Sequence, residues 1–173
     1  MAELHVTDTS HARGPAGKVI EWVCKFLAIC AGLVLTAMAA MSIASIVGRT
    51  FFSNPIVGDY ELVQALCAVA VSMSLPYTHW IRGHVIVDFF TANASPKLNA
   101  WLDLLANLTL AIFSAVITWR IWTGLWELKS SKEASMLLDI PTWWSYAPMV
   151  PSFALLCASA IYAAGANFRK IQS

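Results

Sequence analysis

Five ionisable side chains mark the ends of long apolar runs: Arg49, Glu61, Arg82, His84 and Asp88. Arg49 and Glu61 close one outer hairpin, where opposite charges can pair. Arg82, His84 and Asp88 cluster beyond the second run. His84 and Asp88 are four residues apart and share a face if that segment is helical. Groups at such places either snorkel and fix hairpin register or contact a partner subunit.

Other chemistry finds little support. Proton relays and ion sites need charge within the membrane. No Asp, Glu, Lys or Arg stands mid-span here, and Asp103 and Arg120 only bracket the third run. Axial haem ligation needs histidines on facing helices, whereas His5 and His11 lie in the N-terminal tail and His79 and His84 at one edge of the second run. Cys24, Cys30, Cys67 and Cys157 form no C-x-x-C pair, so they are expected to be inert thiols. No nucleophile elbow, phosphate loop or zincin motif occurs. Neither catalysis nor a metal or cofactor in this chain is expected.

The elements that must carry these residues are membrane helices. Of 173 residues, 58% are hydrophobic and 12% charged, with a mean hydropathy of +0.65. That excludes a disordered chain, and a net charge of +1 without a basic patch speaks against nucleic-acid binding. Charge-free runs extend over Phe26–Gly48 (23 residues), Leu62–Ile81 (20), Leu104–Trp119 (16, prolonged by Leu98–Leu102) and Ile140–Phe168 (29). About 20 apolar residues cross a hydrocarbon core of about 30 Å. The expected fold is an all-α integral membrane protein with four transmembrane helices. The spans are expected near 22–48, 60–80, 97–126 and 146–168, within one membrane domain over 20–168. An amphipathic interfacial segment is expected near 82–95. The tails, 1–19 and 169–173, are expected in the cytoplasm. Residues 1–21 are polar, and the run after them exceeds a signal-peptide core, so the first helix is expected to be retained.

Seven Lys and Arg fall on one side of this topology and four on the other, which places both termini inside by the positive-inside rule. Trp22, Trp80 and Trp101 then lie at the inner interface, and Trp119, Trp122, Trp126, Trp143 and Trp144 at the outer one. Small residues recur every four positions in the first helix, at Gly32, Thr36, Ala40, Ala44 and Gly48. Such a row is expected to be a helix-packing face, within this chain or against a partner. Pro141, Pro148 and Pro151 crowd the last span, so its helix is expected to begin near Tyr146.

Three features occur in a set order: Gly48-Arg49 with Glu61 across the first loop; R-x-H-V-x-V-D from Arg82 to Asp88; and P-x-W-W-x-Y-x-P-x-x-P-x-F from Pro141 through Trp143, Tyr146 and Pro151 to Phe153. From about Lys18 to Arg169 the chain resembles the small, Q-type (DctQ-like) membrane subunit of tripartite ATP-independent periplasmic (TRAP) transporters. The resemblance implies sodium-coupled uptake of organic acids, often carboxylates, across the bacterial inner membrane. It implies a periplasmic binding protein and a large elevator subunit that holds the substrate and sodium sites. The small subunit then packs on the static scaffold, and no substrate site is expected in this chain. A membrane anchor of a respiratory or other complex is the alternative. A stand-alone exporter would need an intramembrane carboxylate.

Overall fold

Proline or a carboxylate opens three of the four helices, and glycine sets the start of one of them. In the computed structural model, which describes residues 15–52, 57–81 and 96–172, the helices are α1 (Pro15–Phe52), α2 (Asp59–Trp80), α3 (Pro96–Ser131) and α4 (Trp143–Gln172). Pro15 and Pro96 occupy first helical positions, where a missing N–H costs nothing. Gly58, with φ 77°, turns the chain into α2, and Asp59 and Glu61 lie in its first turn, beside the positive end of the helix dipole. Each helix contains a stretch long and apolar enough to cross a bilayer.

Helices α1, α3 and α4 extend beyond the expected spans, α3 as far as Ser131. α1 has 38 residues, about 57 Å of helix. It continues through the polar turn before the apolar run, where Lys25 pairs with Glu21 at 2.6 Å, one turn away. α4 starts at Trp143 rather than Tyr146, with Pro148 and Pro151 inside it. These prolines remove the donors to the carbonyls of Trp144 and Ala147. The segment expected at the interface, 82–95, lies outside the described residues.

α1 packs on α2, α3 on α4, and α2 on α4, with a lighter contact between α1 and α4. The spatial order is therefore α1–α2–α4–α3. The two outermost helices keep broad apolar faces, which include Phe26, Ile29 and Leu33 on α1 and Leu105, Ile112 and Phe113 on α3.

The interior is built from small residues. Cys24, Ala31 and Ser45 of α1 are buried, as are Ala70 and Ser72 of α2, Ala111 and Ser114 of α3, and Ser152, Ser159, Ala160 and Ala163 of α4. Their spacing is seven or a multiple of seven for Cys24, Ala31 and Ser45, and seven for Ser152 and Ser159. That 3.5-residue period keeps one seam facing a neighbouring helix. Small side chains let helix backbones approach where lipid offers no hydrophobic drive. The hydroxyls of Ser72, Ser114, Ser152 and Ser159 donate to carbonyls of their own helix at 2.7–2.8 Å. These four buried hydroxyls are thereby satisfied without a cross-helix partner, whereas Ser45 donates across to Asp59 of α2.

The four-residue row of α1 is a different surface. Gly32, Thr36, Ala40 and Ala44 are exposed, and Gly48 is half-buried. A methyl added at Gly32 would meet nothing. Each four-residue step overshoots a full turn by about 40°, so five positions wind about 160° around the helix. The chain's own packing uses the seven-residue seam, and the exposed row is left for lipid or a partner.

Candidate functional site

The turn at Gly58 that leads into α2 and the loop between α3 and α4 meet at one end of the bundle. Asp59 and Glu61 organise that end. Two residues apart on a helix, they point about 200° from each other. Asp59 faces α1, accepting hydrogen bonds from the Ser45 hydroxyl at 2.5 Å and the Tyr60 N–H at 2.8 Å. Its other neighbour is the Arg49 guanidinium at 3.6 Å. Glu61 faces the other hairpin, where it accepts from the Ser135 hydroxyl and from the Leu137 N–H at 3.3 Å.

The expected pairing of Arg49 with Glu61 is therefore corrected: Arg49 pairs with Asp59, and Glu61 fastens the α3–α4 loop. An acidic residue two positions before Glu61, at the very start of the helix, is the sequence feature that points to this division. Ser135 lies 74 residues from Glu61 and carried no local signal.

The α3–α4 loop is closed on itself. Ser135 N–H donates to Ile140 O at 2.9 Å, Thr142 N–H to Glu133 O at 3.0 Å, and Asp139 N–H to Ser135 O at 3.2 Å. Lys132 and Asp139 have φ of 53° and 52° at its bends. The loop lays Leu138 against Gly58. A β-carbon at Gly58 would collide with that leucine side chain, so the position needs glycine for its φ and for its closeness to Leu138.

Beneath the loop lies a recess of about 570 Å³ whose lining includes Glu61, Gln64, Ile121, Pro141, Tyr146 and Met149. Three of the motif residues, Glu61, Pro141 and Tyr146, thus share one surface. The Tyr146 ring covers Gly124 of α3. Trp143 stands to one side, under the Lys129 ammonium, which lies 5.7 Å from its ring and 5.1 Å from that of Trp126. Pro151 is exposed on α4. Arg82, His84 and Asp88 lie outside the described residues. Among the described residues no cluster of three or more His, Cys, Asp or Glu is arranged to hold a metal.

The arrangement is a clasp: two carboxylates, one per hairpin, hold the loop end together. The family model described as Tripartite ATP-independent periplasmic transporters, DctQ component, matches residues 38–170. The chain belongs to this DctQ family. It is thus a multi-pass membrane component of a TRAP transporter, a class of transport proteins rather than of enzymes. No curated protein and no solved structure matches the chain. The DctQ match begins inside α1, at Met38, and takes in the whole clasp, the recess and the seam from Ser45 onward. Gly32 and Thr36, the first two residues of the exposed row, precede it.

Proposed function

We propose that this DctQ component is the small accessory subunit of a sodium-coupled, binding-protein-dependent transporter for organic acids, chiefly carboxylates. It packs on the scaffold of a large elevator subunit. That subunit holds sodium and substrate, and a periplasmic binding protein delivers the substrate. The assembly lies in the bacterial inner membrane, with both termini in the cytoplasm and the clasp at the periplasmic face.

The observation that carries this reading is the small-residue seam between the helices. Ala and Ser fill the seam, and four buried serine hydroxyls are spent on their own helices. Such an interior suits a fixed support better than a pathway for a polar solute, which requires polar groups facing a cavity. The exposed row Gly32, Thr36, Ala40 and Ala44 supports close approach by a partner helix.

Reconstitution tests the proposal. Liposomes containing this chain alone, under an inward sodium gradient, are expected to take up no more labelled carboxylate than empty vesicles. Uptake is expected when the large subunit and the binding protein are added. Uptake by the chain alone would overturn the accessory role, and uptake by the three without sodium would overturn the coupling.

A further inference from the structure

We propose that the groove between α3 and α4 is a binding site for one anionic phospholipid. The inference stands apart from the transport reading and needs only the membrane spans. The groove has a volume of about 680 Å³, and its walls include Ala115, Trp119 and Trp122 from α3 and Val150, Ala154 and Cys157 from α4.

Its walls are apolar for a specific reason. The two threonines on its rim turn their hydroxyls away, Thr118 to Ser114 O at 2.7 Å and Thr123 to Trp119 O at 3.2 Å. The Cys157 thiol is directed at Ala111 O, 3.5 Å away. From Ala115 to Thr123 the groove runs about 12 Å along α3, near the depth of one leaflet's hydrocarbon, about 15 Å. That is the reach of an acyl chain held against the protein.

The headgroup end is also marked. Trp119, Trp122 and Trp126 are all more than half exposed, as amphipathic rings at a membrane interface are. Lys129 lies seven residues, about 10 Å, beyond Trp122 on the same helix face. Its ammonium is shared between Trp126 of α3 and Trp143 of α4, so it bridges the two helices that wall the groove. Among the described residues no carboxylate is within ion-pair range of it. A cation held between the two helices that wall an apolar groove complements a phosphate joined to an acyl chain. The indole faces hold the ammonium while leaving its N–H donors available.

The test is native mass spectrometry of the full chain in neutral detergent. Phosphatidylglycerol and phosphatidylcholine with identical acyl chains are supplied in equal amounts, and free glycerol phosphate in a separate arm. The anionic lipid is expected to be retained about five-fold over the zwitterionic one, the factor one basic residue contributes at a membrane surface. Lys129→Gln is expected to bring that ratio to about one, whereas Lys18→Gln leaves it unchanged. Ala154→Phe, or Val150→Phe if the first variant does not fold, is expected to reduce retention of both lipids by filling the groove. Equal retention by the unaltered chain, a preference that survives Lys129→Gln, or groove variants that hold lipid like the unaltered chain would each overturn the proposal. Binding of glycerol phosphate as strong as that of the lipid would overturn it as well, since no acyl chain would then be needed.

Discussion

Asp59 and Glu61, two residues apart in the first turn of α2, serve opposite hairpins: Asp59 holds Arg49 and Ser45 of α1, and Glu61 holds Ser135 and Leu137 of the α3–α4 loop. One helical turn thus ties both α1 and the α3–α4 loop to α2. The bonds to Glu61 come from a hydroxyl and a main-chain N–H, so that half of the clasp is a set of hydrogen bonds to a charge rather than an ion pair. Such bonds exceed neutral ones in strength.

Mutational coupling should follow this division. In detergent melts, Arg49→Gln and Asp59→Asn are expected to lower the midpoint modestly, and the double variant by less than the sum. Arg49→Gln combined with Glu61→Gln is expected to be additive. The reverse pattern would return Arg49 to Glu61.

Removing the Glu61 carboxylate should release the loop and spare the helices. Hydrogen exchange at the Leu137 amide is expected to quicken about ten-fold in Glu61→Ala, the effect of losing a hydrogen bond to a charged group. Amides in the middle of α4 are expected to exchange as before. Unchanged exchange at Leu137 would show that the loop is held by other means.

Gly58→Ala introduces both a strained φ and a collision with Leu138. A cost of about 1–3 kcal/mol is expected from the left-handed backbone alone, read as reduced folded yield. Adding Leu138→Ala relieves the collision but not the backbone, so partial recovery is expected. Full recovery would mean that φ contributes nothing, and none would mean that the side chains do not meet.

The seam and the exposed row should respond differently to bulk. Ala160, fully buried, is expected to lose about 1–3 kcal/mol when changed to leucine, through overpacking. The loss appears as low yield of the chain by itself. Ala40→Leu is expected to leave that yield intact and to reduce co-purification with the large subunit. A drop in solo yield for Ala40→Leu would place that row inside the chain after all.

Orientation is tested with single cysteines in a cysteine-free background. Met136 is 97% exposed at the loop end, and Lys18 is exposed near the opposite end of α1. An impermeant thiol reagent added to intact cells, with the outer membrane permeabilised, is expected to label Met136→Cys and spare Lys18→Cys. The opposite pattern would invert the topology.

The helices were legible in the sequence because spanning a bilayer is a matter of run length, and a run of apolar residues states its own length. What those helices present to one another was less so. The row from Gly32 to Gly48 catches the eye as composition, yet a period of four drifts around a helix. The period that holds a seam, seven, was present in Cys24, Ala31 and Ser45 and in Ser152 and Ser159, where serine does not advertise a core. The Arg49–Glu61 expectation failed for an angular reason: Asp59 is the acid that faces α1, and two residues of helix turn Glu61 away. Ser135 was invisible because its partner is 74 residues distant.

The spatial order α1–α2–α4–α3 bears on how the molecule is made. α4 follows the other helices in the chain, yet it packs against all three. During synthesis α1 and α2 can meet as a hairpin as soon as both have entered the bilayer. α3 then waits at the margin, its seam of Ala111 and Ser114 facing lipid, until α4 arrives and wedges between it and α2. Biogenesis thus ends with a keystone, and a ribosome that stalls before α4 leaves α3 tied to the α1–α2 hairpin by the chain alone, with little packing between them.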